Sequence, residues 1–263
     1  MSKLNSYNLT MLPKHLVLFD IDGTLLLGKG SGRAATERAM RDVFGTVGAL
    51  ASYHFSGKTD LYTLVELLAP EGITESEIRA ALPHYSDVLV RHMEQVVNEY
   101  PVHALPGTLA LVNALAQRED VVLGILTGNV PQMATLKLRI VGFDPSVFRI
   151  GAYGTEARIR RELVPLALAR AEVHSGKAFA PHEVMIIGDT LDDIDCAHSI
   201  GTKIIAVATG FTARAELEQH PPVTVLDDLT DTEDVLSLIV GTAARPYSGA
   251  PSPEPGNATA DFA

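Results

Sequence analysis

The chain has a single cysteine, Cys196, so no internal disulfide can form. That economy fits a reducing compartment and points to the cytoplasm. Basic residues are scarce: 21 Lys and Arg stand against 32 Asp and Glu, for a formal net charge of -11. A surface of that sign disfavours nucleic acid and anionic membrane as partners. It leaves an anionic small molecule open, because a local site can carry the opposite sign. No run of about 18 or more apolar residues occurs, so no transmembrane helix is expected. The opening "MSKLNSYNLT" lacks the apolar core of a secretory signal. What the chain does have is 46% hydrophobic and only 20% charged residues over 263 positions. That is ample for a packed core in one or two domains and excludes a disordered body.

Short apolar runs set the architecture. "HLVLFD" (15–20) stops at an acidic turn, and the same form recurs in "VVLGILTGN" from Val121, "VMIIGDT" from Val184 and "KIIAVATGF" from Lys203. Near-continuous apolar runs of this length suit parallel strands covered on both faces. "FRIGAYG" near Phe148 adds a weaker strand. Between them lie helix-like segments: "GTLALVNALAQRE", "PQMATLKLRIVG" and "ELVPLALARAEV". In the second, Pro131 suits the first helical position and Gly142 the terminator. Strand and helix alternate from Leu105 to about Val240, which predicts a doubly wound, Rossmann-like α/β sheet domain.

Residues 29–104 read differently. They contain no convincing strand. "SGRAATERAMRDVFG" reads as a helix, and "DLYTLVELLA" sets Leu61, Leu64, Val65 and Leu68 on one face. A longer helix opens with Thr74 and Glu77 spaced as a capping box. Its apolar line runs through Ile78, Leu82, Tyr85, Leu89 and Val96, with a kink expected at Pro83. The division predicted is an α/β core of residues 14–28 plus 105–242, an inserted all-helical cap of residues 29–104, and a flexible tail of residues 243–263 rich in Pro, Gly, Ser and Ala.

Three of the strands end in groups that carry chemistry. "FDIDGTLL" holds Asp20 and Asp22 two residues apart, then Gly23 and Thr24. Ligands of parallel α/β sheets sit beyond the carboxyl ends of strands. Two carboxylates there repel unless a cation binds or one keeps a proton. Asp20 can serve as a nucleophile toward phosphorus, with magnesium screening charge, and Asp22 as general acid and base. Gly23 lets the backbone turn sharply and aim N–H groups at phosphate oxygens. Alone, the pair could equally be a surface turn with acidic caps. "ILTGN" offers Thr127, Gly128 and Asn129 as a phosphate cradle at a strand-to-helix junction. A threonine helix cap is the commoner use of such a residue. "IIGDTLDD" offers Asp189 and Asp193 to complete an oxygen shell of the kind magnesium prefers. "ARIRRELVP" supplies a cation, Arg160 or Arg161, to balance Asp20 and an incoming phosphate.

This ordered set resembles the haloacid dehalogenase-like (HAD) superfamily over roughly residues 14–240. The helical insertion after the first motif resembles its phosphoglycolate-phosphatase-like branch. The resemblance implies Asp20 as nucleophile and metal ligand, and Asp22 as acid/base that also lends its backbone carbonyl to the metal. It implies Thr127 as a phosphoryl contact, Asp189 as a further ligand and Asp193 as support for the metal site. Two departures stand out: arginine replaces the usual lysine of the third motif, where spacing favours Arg160, and Leu191 replaces a common proline. "HFSGKTDLYTL" resembles a cap substrate loop, with Lys58 placed to reach a substrate anion or simply to sit in solvent. The expected activity is magnesium-dependent hydrolysis of a small phosphorylated metabolite. A sugar-phosphate mutase, a phosphonate hydrolase and an inactive binding scaffold are the alternatives. Monomer and homodimer are not distinguished.

Overall fold

The computed structural model describes residues 12–241. The chain begins with β1 (His15–Phe19) and β2 (Leu26–Gly28), then enters three helices, α1 (Ser31–Phe44), α2 (Asp60–Leu68) and α3 (Glu75–Val96). It returns through β3 (Val102–Ala104) to α4 (Thr108–Ala116), β4 (Val121–Thr127), α5 (Pro131–Ile140) and β5 (Ile150–Tyr153). There follow α6 (Leu163–Ser175), β6 (Val184–Gly188), α7 (Leu191–Ile200), β7 (Lys203–Val207), α8 (Arg214–Leu217), β8 (Thr224–Leu226) and α9 (Thr232–Val240).

Six strands form one parallel sheet in the order β5-β4-β1-β6-β7-β8. Strand periodicity divides its core in two. Val17 and Phe19 join one apolar cluster with residues of α4, α5 and α9. Leu16 and Leu18 join the other, with residues of α6 and α7. Both faces are therefore dry, which is why the strands read as continuous apolar runs rather than as alternating ones. The chain winds from β1 outward to β5, then crosses back to β6 on the other side of β1. The carboxyl end of β1 thus borders the topological switch point, where such sheets bind ligands.

The helical segments build a third apolar cluster. Leu61, Leu64, Val65, Leu68, Ile78, Leu82, Tyr85, Leu89 and Val96 are all buried in it. The capping box at Thr74 and Glu77 is formed in both directions. Pro83 lies within α3, which continues through it as one helix of 22 residues rather than dividing there. The sequence reading missed a two-stranded ribbon. β2 and β3 pair antiparallel, Leu26 with Ala104, Leu27 with His103 and Gly28 with Val102. β3 thus falls inside the interval read as strandless. Three residues are too few to display a period of two, and the same brevity hid β8 at the sheet edge. The proposed tail, residues 243–263, lies outside the described residues.

The helical segments are tied to the sheet by backbone groups. Thr59 caps α2, its hydroxyl accepting from the Tyr62 N–H at 3.1 Å. First-turn N–H groups of a helix lack partners within it. Here the Asp60 N–H donates to the Gly128 carbonyl at 2.7 Å, and the Leu61 N–H to the Gly154 carbonyl at 3.1 Å. The Asp60 carboxylate in turn accepts from the Val130 N–H at 2.8 Å.

Thr74→Ala removes one half of the capping box and is expected to cost about 1 kcal/mol. Urea unfolding should show a lower midpoint with an unchanged slope; an unchanged midpoint would show that the cap does not stabilise α3.

Candidate active site

Asp20 directly follows β1, Thr127 ends β4 and Asp189 directly follows β6. Since β4, β1 and β6 are neighbours, parallel pairing delivers all three side chains to one edge of the sheet. The Asp20 N–H donates to the Ile187 carbonyl at 2.9 Å, which fixes the end of β1 against β6. The chain then turns sharply, with the Leu25 N–H on the Ile21 carbonyl at 2.9 Å and the Gly23 N–H on the Leu26 carbonyl at 2.8 Å. Gly23 sits at φ +91°, and a Cβ there would lie 2.3 Å from the Asp189 carboxylate. Glycine is thus required twice, for the left-handed backbone and for the close approach.

Oxygens of Asp20, Asp189 and Asp193 lie within 4.8 Å of one another, and all three residues are buried. The buried Arg160 is the cation between them. Its Nη2 lies 2.7 Å from Asp20 Oδ1 and 2.6 Å from Asp193 Oδ1. Arg160 also donates to the carbonyls of Leu126 and Gly57, each at 3.2 Å. Arg161 is exposed. Geometry therefore resolves the choice the sequence left open: Arg160 reaches the carboxylates. Asp193 has both oxygens engaged, because its Oδ2 accepts from the Thr190 N–H at 3.0 Å and hydroxyl at 2.7 Å in the α7 capping box. It anchors Arg160 and starts the helix.

One guanidinium does not balance three carboxylates. Burial, reinforced by Asp193 and Asp22, pushes the Asp20 carboxyl up to about 7 despite Arg160. Burial and the charges of Asp20 and Asp193 hold Asp189 well above the ordinary carboxylate range. Asp189 Oδ1 accepts from the Thr24 hydroxyl at 3.0 Å, but its buried Oδ2 has no partner among the described residues. A Cβ on Gly210 would stand 1.7 Å from that oxygen, so the backbone closes tightly around it. An unpartnered buried oxygen, surplus negative charge and an all-oxygen donor set fit a hard divalent cation such as magnesium. Asp20, Asp189 and Asp193 each present an oxygen to this point.

Beside this cluster lies a second network. Thr127 is fully buried, and its Oγ1 accepts from the Asn129 Nδ2 at 2.8 Å. That Nδ2 also donates to Asp22 Oδ2 at 2.8 Å. Lys137 Nζ donates to Asp22 Oδ1 and Oδ2 at 2.8 and 2.7 Å, and to Asn129 Oδ1 at 2.7 Å. Sequence reading did not single out Lys137. The signal was present: α5 buries Met133, Ala134, Lys137 and Leu138, so a lysine stands in an apolar helical stripe.

A cavity of about 420 Å³ opens over both networks. Asp20, Asp22, Lys58, Thr127, Gly128, Asn129, Arg160 and Asp189 line it, as does Lys137. Gly23 and Asp193, expected at the site, stand behind this lining rather than in it. Phe55 and Leu89 from the helical segment, with Met133 and Phe211, supply apolar wall. Lys58 is exposed, with Nζ 4.8 Å from the centre of the Tyr62 ring and 5.8 Å from that of Tyr53. Its ammonium rests on aromatic faces at the rim. Gly128 acts through its carbonyl, which holds α2, and a Cβ there would lie 2.1 Å from the Lys58 carbonyl oxygen.

The family described as HAD-hydrolase-like matches residues 160–232, a stretch that includes Arg160, Asp189 and Asp193. Over that stretch the chain is similar to haloacid dehalogenase-like hydrolases. It is 24% identical over 231 residues to pyrophosphatase PpaX of Bacillus mycoides, covering 86% of this chain and 98% of that one. It is 23% identical over 223 residues to a phosphoglycolate phosphatase of Pseudomonas putida, covering 83% and 78%. The crystal structure of a hydrolase from Pseudomonas syringae superposes with a TM-score of 0.62 at 22% identity, covering 86% of this chain and 99% of that one. That likeness shows the fold.

The site should make stability depend on pH. A carboxyl raised in the folded state, as Asp20 is from 3.8 to about 7, binds its proton more tightly there than in the unfolded chain. Stability therefore falls as pH rises through that window. In chelator, thermal unfolding should show this fall between pH 4 and 7, and Asp20→Asn should flatten it. A wild-type profile that is flat or rises would contradict the charge balance described.

Proposed function

We propose that the chain hydrolyses a small phosphate monoester by way of a phosphoryl-aspartate on Asp20. The observation that carries this is the placement of Asp20. It is buried on the floor of a cavity, in contact with Arg160, beside the unpartnered oxygen of Asp189, and two residues from a second carboxyl group. The P. putida relative, named a phosphoglycolate phosphatase, supports the reaction class. The apolar wall of the cavity supports an organic leaving group.

In this reading Asp20 attacks phosphorus while the bond to the leaving oxygen breaks. Asp22 gives that oxygen a proton, and Asp20 becomes an acyl phosphate. Asp22 then takes a proton from a water that attacks phosphorus, which releases inorganic phosphate and restores Asp20. Arg160 and the Thr127 hydroxyl offset the charge of the transferring group. Asp20, Asp189 and the backbone carbonyl of Asp22 would hold magnesium, with Asp193 fixing Arg160 beside them. Bound there, magnesium supplies charge neutralisation that lets a carboxylate and an anionic ester meet. The helical segment of residues 29–104 serves as a cap over the cavity, and Lys58 at its rim is the residue placed to meet a substrate anion.

Asp20→Asn should lower phosphate release from an aryl phosphate by about 10³-fold or more without loss of fold. Chelation of divalent ions should stop wild-type turnover, and added magnesium should restore it; full activity in chelator would reject the metal. Release of inorganic phosphate with no bisphosphate product separates this reading from a mutase.

Arg160→Ala leaves Asp20 and Asp193 without their cation. It should lose activity by about two orders of magnitude or more, as for removal of a group that offsets charge in the transition state. Arg161→Ala should stay within about twofold, as for an exposed residue. Equal losses would place the functional cation elsewhere.

A further inference from the structure

We propose that Lys137 is a positioning residue for catalysis, holding the Asp22 carboxyl group at the cavity floor where a leaving oxygen departs. The inference rests on the phosphatase reading above and extends it to a residue outside the family motifs matched in the sequence.

The geometry is specific. All three donors of an ammonium group are used: one on each oxygen of Asp22 and one on Asn129 Oδ1, at 2.8, 2.7 and 2.7 Å. Asn129 completes the clamp by donating to Asp22 Oδ2 at 2.8 Å and to Thr127 Oγ1 at 2.8 Å. Asp22 Oδ2 thus has two donors and Oδ1 one. Oδ1 retains the greater capacity to exchange a proton with a ligand. The Asp22 side chain is 39% exposed and Lys137 only 7%, so of the two groups lining the cavity the carboxyl is the more open to it.

The location argues against a merely stabilising role. Lys137 occupies a position in the apolar stripe of α5, between Met133 and Leu138. Replacing a buried ion pair with well-packed apolar groups is often neutral or stabilising. A methionine or leucine would suit that stripe, yet the chain carries a cation there that bonds both oxygens of Asp22 and also lies close enough to favour the charged form of the buried Asp60. Asp22 follows a strand end within a tight turn, and a carboxyl there has two side-chain torsions to be fixed. The clamp fixes them. Proton transfer needs the donor oxygen within hydrogen-bonding reach of the departing one, and small displacements of such groups are costly to rate.

The test compares two leaving groups. Ethyl phosphate needs its leaving oxygen protonated, whereas nitrophenyl phosphate does not, and kcat/KM reports the step in which that oxygen leaves. Asp22→Asn defines the signature of a missing acid: a large loss on ethyl phosphate and a small one on nitrophenyl phosphate. Lys137→Met should reproduce it, with a loss of about 30-fold or more on ethyl phosphate and under about fivefold on nitrophenyl phosphate. Adding Lys137→Met to Asp22→Asn should then cost no more than about threefold further, since the two act as one unit. Circular dichroism and thermal unfolding report the fold, and Lys137→Gln, which keeps two N–H donors but no charge, decides the matter if the methionine variant unfolds. Equal losses on both substrates, or losses that multiply in the double variant, overturn the inference while leaving the phosphatase reading intact. A wild-type chain that releases phosphate from neither substrate overturns both.

Discussion

Three buried carboxylates share one guanidinium, and much of this molecule is arranged around that imbalance. Arg160 can satisfy Asp20 and Asp193 together, but Asp189 is left with an oxygen that nothing among the described residues meets. Such a cluster is unfavourable for folding in isolation, because burial raises both Asp20 and Asp189 out of the range in which carboxyl groups ordinarily ionise. It persists because the surrounding sheet over-determines it. β1, β4 and β6 are hydrogen-bonded neighbours, and their ends cannot separate without dismantling the core. Strain of this electrostatic kind is what a site poised for a cation and an anionic ester should store.

The architecture explains why the cluster was legible at the level of motifs. A parallel sheet covered on both faces turns each central strand into an apolar word that ends abruptly, and the polar residue after it lies at the ligand edge. "HLVLFD", "VMIIGD" and "VVLGILT" therefore announced both the strands and the positions of Asp20, Asp189 and Thr127. The helical segments were equally readable, because each buries one stripe of a period near four. Their capping signals at Thr59 and Thr74 were of the same local kind.

What the sequence did not disclose depends on contacts between distant segments. The choice between Arg160 and Arg161 is settled by a single-turn 3₁₀ segment, in which one side chain points inward and its neighbour outward. Asp193 was expected beside the metal site and its cation, and what local sequence could not show is that its oxygens meet both Arg160 and the α7 cap. Lys58 looked like a free cation, and its ammonium lies over tyrosine rings. Lys137 was concealed for the opposite reason: a lysine within an apolar stripe reads as a snorkelling side chain until its partner across 115 residues is known. Ribbon strands of three residues carry too little pattern to be recognised at all.

That ribbon has a consequence for how the molecule is assembled. Residues 26–28 and 102–104 are paired strands, so the excursion of the chain begins and ends at nearly the same place, about 5 Å apart. Everything between those points closes on itself as a loop does, and the cost of closure grows only slowly with its length. The ribbon itself consequently sets no particular length for the excursion, while the stretch around residues 57–61 is held to the sheet side by bonds of its own. A lineage could enlarge, trim or exchange it while β1 and the aspartates at its end remained in register, so that chemistry and selectivity can change independently.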